Sequence, residues 1–197
     1  LIFLLIITIN LGSLKLFLLL LTIFGFFITG FLDDYLSIKK KENTGLKTKE
    51  KFALQSIISI IFVFLAYEKN LINPLILVSD SWGINMNIFI LPISFLVLVG
   101  ISNSVNLTDG LDGLAIVPAM IVAMSFSFIV YFSGNIVFSK YLLIQYIPGT
   151  SELVVFCGSL IGAALGFLWF NAPPAKVFMG DTGSLALGGS LGSIAII

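Results

Sequence analysis

The chain has 197 residues, of which 58% are hydrophobic and only 10% charged, with a mean hydropathy of +1.14. Soluble domains carry about 25% charged residues, so this is the composition of an integral membrane protein, and the formal net charge of zero says less than where the charges sit. There is no histidine, which excludes His-based catalysis and His metal ligands within these residues; the single Cys157, inside an apolar run, excludes a disulfide frame and a Cys metal site and reads as a small buried residue.

Apolar runs of about 20 residues are long enough to cross a bilayer as helices. In chain order they predict a partial run at 1–9, spans at 16–32, 52–67, 87–102, 114–132 and 153–170, and a last partial run at 184–197. The expected fold class is all-α, a polytopic transmembrane bundle with five complete and two truncated spans, forming one domain over 1–197. The 1–9 run has no basic flank and no small-residue cleavage site, so it reads as the end of a span and not as a signal peptide. Gly25, Gly30, Gly162 and Gly166 are expected to let helices pack closely, and Pro92 and Pro118 to bend theirs.

The connections differ in charge. Residues 33–51 hold Lys39, Lys40, Lys41, Lys47, Lys49 and Lys51, six of the ten lysines, and lysine excess in short loops marks the cytoplasmic side. Counting alternate crossings, 103–113 and 171–183 (with Lys176) fall on that same face, while Lys15, Lys69 and Lys140 fall outside. The outer segments 68–86 and 133–152 carry turn signals and no clustered acids, and read as connectors. Three aspartate-bearing connections, two spans apart from one another, therefore share one membrane face.

Each cluster taken alone has a plain reading. In GFLDDYLSIKKK, Asp33 and Asp34 end a predicted span as interfacial acids offset by lysines. A helix C-terminus disfavours carboxylates, so helix stability does not explain them, and adjacent helical residues point about 100° apart. In SNSVNLTDGLDGLA, Asp109 and Asp112 share a face if that segment is helical; the alternative is a pair of Asp-Gly turns. Asn103, Asn106 and Thr108 add oxygen ligands. In NAPPAKVFMGDTGSLALGG, Asp181 or Ser184 would cap the helix that follows. Together, five aspartates with asparagines and no His or Cys form a hard oxygen environment that selects Mg²⁺ or Mn²⁺. With lysines beside them at a membrane face, they point to phosphoryl transfer between a soluble diphosphate-bearing donor and a membrane lipid.

These segments, with KFALQ at 51–55 and the run FLWFNAPPAKVFMGDTGSLALGG, resemble the polyprenyl-phosphate N-acetylhexosamine-1-phosphate transferase superfamily, and within it the muramoyl-pentapeptide branch. The resemblance covers essentially the whole chain. It implies a ten-span bacterial inner-membrane enzyme with its site on the cytoplasmic face. The reaction implied is transfer of phospho-MurNAc-pentapeptide from its UDP carrier to undecaprenyl phosphate, giving lipid I and UMP with Mg²⁺. By motif, Asp181 is the implied magnesium ligand, joined by Asn106, and Asn106 with Asp109 lines the metal and diphosphate region. Asp112 falls in the nucleotide-sugar site; Asn171 and Phe178 lie around the uridine, with Phe178 stacking on uracil. Asp33 and Asp34 match the pair assigned to the lipid phosphate, as base or as nucleophile, and Lys41, Lys49 and Lys51 are phosphate or nucleotide contacts. Dimerisation is implied by the family alone; nucleic acid is not an expected partner.

Two departures stand out. Ser37 occupies a position where the family usually has lysine, and the family's His-rich motif follows the last span present. The chain is therefore expected to be an internal fragment, inactive by itself. The rival readings are a sister enzyme that transfers GlcNAc-1-phosphate to the same lipid, and a cation-coupled transporter. The transporter is disfavoured because no Asp, Glu or Lys lies mid-span in any complete predicted span.

Overall fold

The computed structural model describes residues 13–41, 45–73, 75–79 and 82–197. The partial run expected at 1–9 lies outside the described residues. Helix α1 (Leu14–Lys40) opens at Ser13, whose hydroxyl accepts the Leu16 N–H, and closes at Lys41 in the left-handed region. It continues well past the predicted end at residue 32, with Lys39 and Lys40 in its last turn where the dipole favours cations. Asp33 and Asp34 are thus inside the helix, a correction to their reading as its end. Helix α2 spans Thr48–Glu68, with the Glu50 carboxylate accepting the Lys47 N–H at its start.

On the far side, the segment expected to be a plain connector contains an antiparallel hairpin, β1 (Leu75–Ser79) and β2 (Trp82–Asn85), with Leu75 opposite Asn85. A 3-10 turn at Asn87–Phe89 leads into α3 (Ile90–Thr108), and α4 covers Ile116–Ser133. A short helix α5 (Ile136–Leu142), capped by the Asn135 side chain, lies in the other predicted connector. A second 3-10 turn at Thr150–Glu152 leads into α6 (Leu153–Asn171), and α7 (Gly180–Ile196) follows. Among the described residues, five helical segments are long and apolar enough to cross a membrane: Leu14–Lys40, Thr48–Glu68, Asn87–Thr108, Ile116–Ser133 and Thr150–Asn171. The protein is a multi-pass helical membrane bundle, as its composition predicts.

Helix α7 is the axis of the bundle. α1 and α3 lie along it, α2 packs on α1 and α3, and α4 pairs with α6. A helix so rich in Gly and Ser is suited to this place, because small side chains let three neighbours approach. Its buried hydroxyls remain satisfied: Ser184, Ser190 and Ser193 donate to the Gly180, Leu187 and Gly189 carbonyls at 2.9, 2.6 and 2.7 Å. Leu19, Phe26, Phe62, Leu98, Phe156 and buried Cys157 make up the main core.

The glycines divide. At Gly30 the α1 backbone meets the start of α7, and a Cβ there would lie 2.2 Å from the Asp181 carbonyl oxygen. Gly162 and Gly166 have nothing within 4 Å of an added Cβ, so they do not mediate packing among the described residues, contrary to expectation. Pro92 and Pro118 sit in the first turns of α3 and α4, where no helical N–H bond is lost. Gly30→Ala in the natural full-length chain is expected to cost about 1–3 kcal/mol by overpacking backbone against backbone. The measurement is the thermal midpoint in detergent; an unchanged midpoint would contradict the close approach.

Candidate active site

The acidic residues of α1, α3 and α7 meet at one end of the bundle. Asp181 is in the first turn of α7, ahead of the apolar part of that helix. Its Oδ1 accepts from Asn106 Nδ2 of α3 at 2.7 Å, and its Oδ2 is ion-paired with the Lys51 ammonium of α2. The same Asn106 amide nitrogen donates to Ser184 Oγ at 2.9 Å. Helices α2 and α3 therefore place one side chain each on the carboxylate that α7 carries. Burial opposes ionisation of Asp181, but hydrogen bonds with the Asp33, Lys51 and Asn106 side chains, together with the Lys51 charge, outweigh it and hold the carboxyl below the usual carboxylate range.

Asp33 and Asp34 point to different partners, as adjacent helical residues must. Asp33 Oδ1 accepts the Leu46 N–H at 2.8 Å and so ties α1 to the segment leading into α2; Lys40 Nζ adds a bond to the Gly45 carbonyl at 2.9 Å. Asp34 caps α7. Its Oδ2 accepts from the Thr182 N–H at 2.9 Å and from the Thr182 hydroxyl at 2.5 Å, and its Oδ1 accepts the Asp181 N–H at 3.3 Å. The expected capping by Asp181 or Ser184 is corrected: α7 has no cap from its own flanking side chain, and the cap comes from a neighbouring helix. A carboxylate at a helix N-terminus meets free N–H groups and the positive dipole end, which is the stabilising role that the sequence around Asp34 does not suggest. Gly180, at φ +65°, makes this possible: a Cβ there would lie 2.9 Å from Asp34 Oδ2.

The Asp109–Asp112 pair does not share a helical face. Asp109 is the residue that closes α3, and the chain from there to α4 is a series of turns. The Asp109 carboxyl lies near the Asp181 and Asp34 charges and the Gly180 backbone N–H. Burial raises its pKa, the charges of Asp181 and Asp34 raise it further, and the Gly180 N–H partly offsets them. Asp112 looks the other way, accepting the Ala175 N–H at 2.9 Å.

That contact belongs to a second assembly joining the α3–α4 turns to the α6–α7 loop. Asn171 is only 4% exposed; its Oδ1 accepts the Gly113 N–H at 3.0 Å and its Nδ2 donates to the Val177 carbonyl at 2.8 Å. Both ends of its amide are thus committed to the two loops. Phe178, on the loop that Asn171 fastens, is 73% exposed. Of the three candidate lysines, Lys51 is the one paired with an acid among the described residues; Lys49 is exposed in the first turn of α2, and Lys41 is the exposed closing residue of α1.

Two functional-looking groups escaped the sequence reading. Thr182 binds the Asp34 cap through its N–H and hydroxyl, and its place directly after Asp181 is its only sequence signal. Gln55 of KFALQ, 1% exposed, pairs with Asn103: Asn103 Nδ2 donates to Gln55 Oε1 at 2.7 Å and Gln55 Nε2 to Asn103 Oδ1 at 3.4 Å.

As a metal site, one carboxylate oxygen each from Asp33, Asp34 and Asp181 lies within 4.8 Å of the others. Oxygen donors of this kind suit a hard divalent cation, which would share Asp181 with the Lys51 ammonium. Because Asp34 is committed to α7, Asp33 and Asp181 are the carboxylates with capacity to spare.

The family profile described as glycosyl transferase family 4 matches residues 16–197. Among curated proteins, the chain is 67% identical over 200 residues to a phospho-N-acetylmuramoyl-pentapeptide-transferase of Prochlorococcus marinus strain MIT 9301, covering 100% of the chain and 52% of the relative. It is 52% identical over 192 residues to one from Pelagibacter ubique strain HTCC1062 (95% of the chain, 53% of the relative). A third, from Bartonella quintana strain Toulouse, is 49% identical over 187 residues (95% and 52%). The chain spans about half the length of these curated relatives.

Proposed function

The chain belongs to glycosyl transferase family 4, and from that premise we propose that it is part of a phospho-N-acetylmuramoyl-pentapeptide transferase. The enzyme would move phospho-MurNAc-pentapeptide from its UDP carrier to undecaprenyl phosphate, forming lipid I and UMP. The observation that carries this reading is the convergence of Asp33, Asn106, Asp109, Asp181 and Lys51 at one end of an apolar bundle. The names of the relatives supply the donor's identity. The lysine excess over residues 33–51 supports a cytoplasmic position for this end, where a soluble nucleotide donor is available. Residues 1–197 form part of one transferase domain.

In this reaction an oxygen of the prenyl phosphate attacks the sugar-linked phosphorus of the donor. The bond from that phosphorus to the bridging oxygen breaks, and the bridging oxygen leaves with UMP. A phosphate monoester has a second pKa of about 6, so the attacking group is largely ionised near neutral pH and needs orientation more than deprotonation. Asp33 orients it. Lys51 neutralises charge on the diphosphate, and Asn106 keeps Asp181 in place. Asp181, with Asp33 and Asn106, would hold Mg²⁺, whose charge would add to that neutralisation. Phe178 offers an exposed aromatic face for the uracil, and Asp112 and Asn171 hold the loops on which that face is presented.

The test is an assay of the natural full-length chain in detergent with undecaprenyl phosphate and each of two donors. Lipid-linked product from the UDP-muramoyl-pentapeptide is expected, abolished by EDTA and restored by Mg²⁺. Use of UDP-GlcNAc in its place would overturn the assignment of substrate.

A further inference from the structure

We infer that Gln55 and Asn103 are positioning residues that set Lys51 and Asn106 on Asp181; this rests on the transferase reading above. The amide pair joins α2 to α3 within the bundle, and Asn103 Nδ2 also donates to its own Val99 carbonyl at 2.8 Å. Gln55 follows Lys51 by four residues and Asn103 precedes Asn106 by three. Each amide therefore lies one helical turn from the residue on its own helix that touches Asp181. Lys51 reaches the cluster from α2, a helix whose packing is against α1 and α3. Its reach thus depends on how α2 is registered on α3. Apolar contacts resist separation of two helices but tolerate sliding; a reciprocal amide pair is directional and fixes rotation and height together. Burying Gln55 among lipid-facing helices is unfavourable unless its amide is bonded, and Asn103 meets both its oxygen and its nitrogen.

The experiment uses the natural full-length chain. Gln55→Leu and Asn103→Leu are each assayed for turnover and donor KM, alone and combined with Lys51→Ala, beside the swapped pair Gln55→Asn with Asn103→Gln. Turnover is expected to fall about tenfold to a hundredfold in either Leu variant, the cost of misplacing charge near the reacting phosphates. Donor KM is expected to change by less than about twofold, because the loops bearing Phe178 are held separately. The loss should not multiply with that of Lys51→Ala, since both changes remove the same contact, and the swapped pair should recover most of the turnover. Turnover at the unsubstituted level in both Leu variants would overturn the inference, as would losses that multiply fully with Lys51→Ala. Losses matched by an equal fall in folded protein, read by size-exclusion and thermal midpoint, would reduce the pair to a structural tie and overturn it too. An unsubstituted protein that makes no lipid product from the muramoyl donor overturns the reaction and the inference together; an active one leaves the inference to the variants.

Discussion

Asp181→Asn in the natural full-length chain is expected to lower Mg²⁺-dependent lipid I formation by roughly a thousandfold, at the upper end of what removal of one preorganised electrostatic group costs. The side chain changes by one atom, so packing is preserved. What changes is donor and acceptor count. Lys51 and Asn106 both donate to Asp181, one to each carboxylate oxygen. An Asn in its place presents an NH₂ to one of these donors and has no charge to hold Lys51 or a divalent cation. The helix start survives, because the Asp34 cap uses the backbone N–H of residue 181, not its side chain. The expected signature is therefore lost turnover with a thermal midpoint close to that of the unsubstituted protein. Turnover within tenfold of normal would remove Asp181 from the metal assignment.

What the sequence disclosed and what it withheld follow a physical division. The membrane spans and their shared acidic end were legible because apolar length and lysine asymmetry are one-dimensional signals: 52–67, 87–102 and 153–170 all fall within helices α2, α3 and α6 with their leading 3-10 turns. The extension of α1 to Lys40 was hidden, since hydropathy stops at Leu32 while the backbone hydrogen bonds do not. The hairpin at Leu75–Ser79 and Trp82–Asn85 was hidden as well, in a short stretch too irregular to separate from a connector. In the site, residue types were readable and their directions were not. Asp109 and Asp112 separate because α3 ends at Thr108 and the chain turns from Asp109 onward, which three-residue spacing alone does not reveal. Asn171 combines two loops through contacts 58 positions apart and 6 apart, and only the folded chain sets the first of these.

Asp34 gives the sharpest division of roles within one motif. If it served the lipid phosphate directly, Asp34→Asn and Asp33→Asn would lower turnover alike and leave stability alone. Its contacts lead to a different expectation. The carboxylate accepts three bonds from the first turn of α7, from the Asp181 N–H, the Thr182 N–H and the Thr182 hydroxyl. Asp34→Ala strands those donors at a half-buried helix end, and each unsatisfied group costs about 1–3 kcal/mol. It also removes the negative charge facing the dipole of the helix that carries Asp181. Asp34→Ala is thus expected to lower the thermal midpoint and to reduce turnover at least about a hundredfold, because displacement of α7 moves Asp181 away from Lys51 and Asn106. Asp34→Asn keeps an acceptor oxygen but sets its NH₂ against one of the donors, and should fall between Asp34→Ala and the native residue in both measurements. Asp33→Asn, whose contact is the Leu46 N–H at 2.8 Å, should lose turnover with the smaller change in midpoint. Stability and turnover falling together across the Asp34 series, and separating at Asp33, would assign one aspartate to holding α7 and the other to the acceptor. A midpoint unmoved by Asp34→Ala would return both to the lipid phosphate.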